Sequence, residues 1–278
     1  MVRMSPAGRR RVRTAAVVAA SGIGAAGTVV LVGRGVLHRQ AAIARRRIGK
    51  PLGEVALDAD RVWGKRYDGM PLRLMMLGDS LAAGLGAERP KDTLGARLSK
   101  GLARRVHRPV RLHTLAVVGS ESSALAAQVE ALPAGCRADA AVIVVGGNDV
   151  THRVPVQTAA TQLSDAVTRL LERGIPVVVG TCPDLGALRP VPQPLRALGS
   201  RLSQQLAAAQ AEAAERAGAA VVSLRHAVGP FFISNPDEMF SLDRFHPSGL
   251  GYRRTAEALL PAVTDAVAMT ALRPPLRP

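Results

Sequence analysis

Six consecutive apolar residues, Ala140–Val145, leave no polar side chain on either alternate of a strand. A strand facing water on one side alternates; one that is apolar on both faces lies inside a sheet covered on both sides, as parallel sheets are. Around this run the chain keeps changing period. Strand-like runs at Leu72–Leu77, Val110–Val118, Ile175–Thr181 and Ala219–Leu224 are separated by helical patterns at Thr93–Val106, Ser122–Leu132, Pro155–Arg173 and Pro194–Ala217, with a last one from Ser248 to about Thr270. In the first helix Leu94, Leu98, Leu102 and Val106 share one face, while Arg97, Lys100 and Arg104 lie on another. Pro155 suits the first turn of its helix. Strands alternating with helices in this way predict an α/β fold with five parallel strands and helices on both faces.

The chain has 278 residues, enough for one large domain and a short appendage. Aromatic residues are only 3% of it, so Ala, Val and Leu must fill the core. A net charge of +16 suggests an anionic partner, but residues 1–50 hold eleven Lys and Arg and no acid, leaving 26 basic against 21 acidic residues for the rest. The basic character belongs to the N-terminal arm. Five arginines within residues 3–13 precede twenty uncharged residues, Thr14–Gly33. As a helix that run is about 30 Å long, the thickness of a hydrocarbon core. It reads as a membrane-anchor or signal-like helix; its length favours an uncleaved anchor over a signal peptide. Arginines flank it on both sides, so the positive-inside comparison leaves the side of the membrane open. The expected organisation is a basic head at 1–13, the apolar helix at 14–33, a basic linker and lead-in at 34–69, the main domain at 70–270 and a disordered tail at 271–278.

Gly22–Gly27 spells G-I-G-A-A-G inside the apolar run, but the first acidic residue is Glu54 and arginines flank the run on both sides, so no dinucleotide is expected. His38, His107, His113, His152 and His226 are scattered without ligand spacing, and no metal or other cofactor is expected. The arm lacks aromatics for stacking bases, which argues for a membrane surface over nucleic acid. Cys136 precedes the third strand and Cys182 follows the fourth, at opposite ends of neighbouring strands, so two free thiols are expected.

In parallel α/β sheets the functional crevice lies outside the carboxyl ends of the strands. After the first strand comes Gly78-Asp79-Ser80, after the second Gly119-Ser120-Glu121-Ser122, and after the third Gly146-Gly147-Asn148-Asp149. Asp243-Arg244-Phe245-His246-Pro247-Ser248 precedes the last helix. Each segment alone has a structural explanation: glycines end strands, Asn-Asp forms turns, and Ser caps helices. Together they bring a hydroxyl, flexible glycines, an amide and an Asp/His pair to one rim, which are the groups acyl chemistry needs. Ser80 is the candidate nucleophile, His246 its base and Asp243 the group orienting that base. The backbone N–H groups of Ser80 and Gly119 with the Asn148 amide are the candidate oxyanion hole. Asp79 has no assigned role beyond a turn.

These residues resemble the SGNH (GDSL-type) hydrolases: G-D-S-L at 78–81, Gly119, G-G-N-D at 146–149 and D-R-F-H-P-S-G-L-G-Y at 243–252 stand in that family's order. The resemblance spans about residues 70–265. It implies a flavodoxin-like three-layer α/β/α fold, no metal, and esterase or lipase activity on a small-molecule, lipid or glycan ester. The absence of G-x-S-x-G argues against an α/β-hydrolase. Acyl transfer to a glycan or lipid, and simple binding on the same fold, are the alternatives; oligomeric state is not readable.

Overall fold

The computed structural model describes residues 33–271 except residue 134. The basic head, the apolar run up to residue 32, the Gly22–Gly27 pattern and the tail beyond 271 lie outside the described residues. No described helix is long and apolar enough to cross a membrane.

The strands are β1 (Val62–Trp63), β2 (Leu72–Gly78), β3 (Val110–Thr114), β4 (Ala140–Val144), β5 (Val177–Gly180) and β6 (Ala220–Val222). The first helices are α1 (residues 33–48), α2 (Ser80–Ala83), α3 (Leu94–Val106), α4 (Leu125–Glu130) and α5 (Gly147–His152). Then come α6 (Val156–Glu172), α7 (Leu195–Arg216), α8 (Leu224–Ala227), α9 (Gly229–Ser234), α10 (Pro236–Met239) and α11 (Gly249–Ala271).

The sheet order is β1-β3-β2-β4-β5-β6; β2 to β6 are parallel, and β1 runs antiparallel to β3. The sheet is therefore mixed and six-stranded, not the five-stranded parallel sheet expected. The added strand falls in the stretch taken for a linker, where two residues carry no readable period. It is held by fixed points: Leu112 N–H donates to Arg61 O (3.0 Å), and the Asp60 carboxylate accepts from Thr114 N–H (2.8 Å) and its hydroxyl (2.7 Å). Residues 33–48 are likewise helical rather than linker.

Side-chain alternation in β4 explains its unbroken apolar run. Ala140, Val142 and Val144 join Leu74 and Met76 in a core with Leu94, Leu98 and Leu102 of α3 and Leu259 and Val263 of α11. Ala141, Ile143 and Val145 join Met75 and Leu77 in a second core with Leu125 of α4 and Leu163 and Leu170 of α6. Helices thus cover both faces, giving the three layers. The order β3-β2-β4 places the change of winding direction between β2 and β4, and the crevice opens at their carboxyl ends.

Helix α11 is fastened to this arrangement near its start. Ser248 Oγ accepts from the Leu250 (3.2 Å) and Gly251 (3.1 Å) amides, capping the helix. Tyr252 is fully buried, and its hydroxyl donates to Leu85 O at 2.6 Å, just past the α2 turn. Burial drives its phenol well above its ordinary pKa, so the bond is made by a neutral donor. A buried carbonyl stripped of its donor costs about 1–3 kcal/mol. Tyr252→Phe is therefore expected to lower the thermal midpoint by about 2–6 °C, with little loss of area; scanning calorimetry checks this, and an unchanged midpoint contradicts it.

Candidate active site

The site begins with a glycine that no other residue can replace. Gly78 ends β2 with φ 127°, and a Cβ there would lie 1.9 Å from Val144 O. Asp79 N–H donates to that same carbonyl (3.1 Å), closing β2 onto β4. On the other flank Val117 N–H donates to Gly78 O (3.1 Å), drawing the segment after β3 against the strand end. Gln128 of α4, buried, completes the frame: its amide accepts from Gly78 N–H and donates to Gly78 O, both at 2.8 Å.

Asp79 then turns the strand into a helix. Its backbone is extended, and Oδ1 accepts from Leu81 N–H at 2.9 Å, capping the short α2 and setting Ser80 as its first residue. The Ser80 side chain is brought up from this turn at the carboxyl edge of the sheet.

The partner loop precedes α11. Arg244 adopts φ 56°, folding residues 243–246 back on themselves. Asp243 Oδ1 accepts from the Ser241 hydroxyl and from the Phe245 and His246 amides, each at 2.9 Å. Oδ2 lies 2.6 Å from His246 Nδ1, and His246 Nε2 lies 3.0 Å from Ser80 Oγ. Burial pushes the Asp243 carboxyl upward, but the hydrogen bonds from the His246 ring and the Phe245 and His246 amides outweigh it and hold the group below the usual carboxylate range. An ionised carboxylate only accepts, so Nδ1 carries the imidazole proton and Nε2 presents its lone pair to the Ser80 hydroxyl. Residues from positions 80, 243 and 246 thus form one hydrogen-bonded chain.

Gly119 stands in the loop after β3 and Asn148 in the first turn of α5, which follows β4; β3 and β4 are the strands flanking β2. Gly119 has φ 85°, and nothing lies within 4 Å of where a Cβ would be, so conformation rather than crowding requires glycine there. The loop after β3 is tied to α5 three times. Asn148 Nδ2 donates to Ser120 O (2.9 Å), and Ser122 N–H donates to both oxygens of buried Asp149 (3.1 Å each). His152 Nδ1 meets Glu121 Oε1 at 2.7 Å, farther out. Asn148 retains a second amide hydrogen, and among the described residues neither the Ser80 nor the Gly119 N–H meets a protein acceptor.

Three framing residues were not legible as such in the sequence. Asp79 looked like a turn former and is the cap that orients Ser80. Gln128 and Gln210 sit on the apolar faces of their helices; Gln210 Oε1 accepts from Cys182 N–H (2.7 Å) and its Nε2 donates to Val145 O (3.1 Å), bridging the ends of β4 and β5. An amide at a position that periodicity assigns to the core is the one signal that marks both.

From Ser80 and His246 a cavity of ≈ 80 Å³ runs beneath the loop after β5, with Leu81, Leu188, Val228, Phe232, Phe240 and Phe245 among its walls. Cys182 lies buried behind it, its thiol pushed far up by burial, and Cys136 is half-buried before β4.

Asp79 is fully enclosed, and burial raises its carboxyl to about 6 against the bonds that favour the anion. A carboxylate whose folded pKa is raised favours folding when protonated: that contribution is complete below the unfolded pKa of 3.8 and is lost as pH rises through about 6. At neutral pH the buried charge therefore costs roughly 2–3 kcal/mol. Asp79→Asn keeps the helix cap and removes the charge. Its urea midpoint is expected to exceed the parent's at pH 8, with the advantage gone by pH 4; an advantage independent of pH contradicts this.

Comparison with known proteins agrees with this architecture. The description "GDSL-like Lipase/Acylhydrolase family" fits residues 76–254. The GDSL-like esterase Rv1075c of Mycobacterium tuberculosis is 39% identical over 264 residues, covering 91% of this chain and 84% of that protein. Among solved structures, TesA superposes with a TM-score of 0.57 at 22% identity, over 70% of this chain and 99% of its own. Axe2, an acetylxylan esterase from Geobacillus stearothermophilus, does so with 0.56 at 18% identity, over 71% and 96%. At those identities the two structures speak for the fold, while the family match and the curated relative carry the assignment: the chain belongs to the SGNH (GDSL-type) family of lipases and acylhydrolases.

Proposed function

We propose that the protein hydrolyses carboxylic esters through an acyl-enzyme on Ser80. One observation carries this reading: the unbroken chain from Asp243 Oδ2 to His246 (2.6 Å) to Ser80 Oγ (3.0 Å), assembled from segments 166 residues apart at the mouth of an apolar cavity.

Ser80 Oγ attacks the ester carbonyl carbon as His246 Nε2 takes its proton. Asp243, fixed by three donors on its other oxygen, holds the ring in the tautomer that permits this and stabilises the imidazolium. The carbonyl oxygen becomes an oxyanion and receives the Ser80 and Gly119 N–H groups and the free Asn148 amide hydrogen. The intermediate collapses, the C–O bond to the alcohol breaks, and the alkoxide leaves with the proton from His246. Water then repeats the sequence on the acyl-enzyme, with His246 again as base, and releases the acid and free Ser80.

The cavity sets the scale of the acyl group. At ≈ 80 Å³ it is about half the size of an engineered ~150 Å³ cavity that accepts benzene. A pocket of this size suits acyl chains of about two to four carbons beside Ser80 better than longer ones.

Ser80→Ala is expected to abolish p-nitrophenyl ester hydrolysis and labelling by a fluorophosphonate, and Asn148→Ala to lower kcat roughly 10²–10³-fold. Residual labelling of Ser80→Ala equal to the parent's would sink the proposal. Across a p-nitrophenyl series, kcat/KM is expected to peak between acetyl and butanoyl and to fall roughly ten-fold or more by octanoyl; a flat or rising series refutes the size argument.

A further inference from the structure

We infer that helix α1 is part of the acyl pocket's construction: it clasps the proline-rich segment behind the pocket wall and thereby limits acyl length. The inference rests on Ser80 being the site of acylation.

Pro183, Asp184, Leu185, Ala187 and Leu188 form one wall of the cavity. The start of this wall is fixed by α7: Ser200 Oγ donates to Asp184 Oδ1 (2.7 Å), and Leu185 N–H donates to Ser203 Oγ (3.1 Å). Its far end runs into Arg189-Pro190-Val191-Pro192-Gln193-Pro194. Three prolines in six residues have no N–H to donate, so this stretch cannot be held by a ladder. Pro192 O and Pro194 O accept from the Arg196 (2.9 Å) and Leu198 (3.1 Å) amides at the start of α7, whereas Pro190 O, Gln193 O and the Leu195 amide take their partners from elsewhere.

Those partners come from α1. The Gln40 side chain donates to Gln193 O and accepts from Leu195 N–H (2.9 Å), bracketing Pro194 from both sides. About two turns further along, Arg47 Nη1 donates to Pro190 O at 3.3 Å. The helix presents Leu37, Gln40, Ala41, Ala44 and Ile48 inward at helical spacing, with Ala44 buried, while Arg34, Arg39, Arg45 and Arg46 stay exposed. The inward stripe is short of large side chains, so the polar contacts define where the helix sits. At the wall itself, Arg189 Nη2 donates to Ile233 O (3.2 Å), linking the same segment to α9, whose Gly229 and Phe232 form the opposing wall. Fixing residues 190–195 therefore fixes the gap between the two walls.

Gln40 and Arg47 are positioning residues, remote from the reacting atoms, and their removal should alter selectivity rather than chemistry. The full-length Gln40→Ala/Arg47→Ala variant is compared with the parent on p-nitrophenyl acetate and p-nitrophenyl octanoate, with amide exchange followed over residues 185–195. The octanoyl-to-acetyl ratio of kcat/KM is expected to rise roughly ten-fold, the scale set by methylene fit in an apolar pocket. That change should come through the octanoate KM, with acetate kcat within about two-fold of the parent's and the Val191 and Leu195 amides exchanging faster. Gln40→Glu, which keeps the acceptor for Leu195 and loses the donor to Gln193, should restore part of the parent ratio. An unchanged ratio, or an equal loss on both esters, overturns the inference. Arg47→Ala alone, which leaves the Gln40 bracket intact, decides the matter in the same terms if the double variant does not fold. Ester hydrolysis surviving Ser80→Ala would instead overturn the catalytic reading, and the exchange data would then judge the clasp by itself.

Discussion

Everything at the site hangs on how closely β2 and β4 approach at their carboxyl ends. Val144 O occupies the place where a side chain on residue 78 would be, and it accepts the amide of the next residue. With glycine there the strand can stop against its neighbour, reverse its backbone and begin α2 within one residue of Ser80. Gln128 then accepts from the Gly78 N–H, which a terminating strand would otherwise leave unpaired in a buried place, and gives Gly78 O a second donor beside Val117 N–H. The place of Ser80 is thus set by the backbone geometry at the end of β2.

Three buried carboxylates near one another meet three different environments, and the differences follow from counting donors. Asp243 has a hydroxyl, two amides and an imidazole, and its pKa falls despite burial. Burial raises Asp149 although the Ser122 amide bonds both of its oxygens, and Asp79 is the most enclosed and raised to about 6. The residue beside the imidazole is consequently the one built to remain an anion. That is the condition for keeping the proton on Nδ1 and the lone pair of Nε2 on Ser80. Asp79 and Asp149 serve instead as acceptors that shape the backbone, for Asp79 at a cost in stability above its raised pKa.

How much of this could be read from the chain depended on whether a residue's task repeats along it. The apolar runs of β2 and β4 and the spaced leucines of α3 repeat, and their packing follows from period alone. The groups at the rim could be gathered because Ser80, Gly119 and Asn148 each follow a strand of a parallel sheet while Asp243 and His246 precede its last helix, so all five could be placed without knowing any distance. Strand β1 has two residues and no period; only Asp60 and Arg61 mark it, through contacts invisible in one dimension. Gln128 and Gln210 offer one polar letter each within an apolar stripe, which periodicity treats as noise.

That noise has a common physical meaning. Gln128, Gln210 and Gln40 each use a primary amide as a donor–acceptor pair against one stretch of main chain, at the end of β2, across β4 and β5, and around Pro194. A primary amide satisfies an N–H and a C=O together, at two separate atoms, without bringing a charge into the interior. A carboxylate in any of these places would take a donor from a carbonyl, and a lysine would leave an amide unpaired. Strands end where ladders end, and a segment with three prolines never has one, so both create the same need. A polar position on an otherwise apolar helix face therefore points, in this fold, to the place where the neighbouring backbone has run out of its own partners.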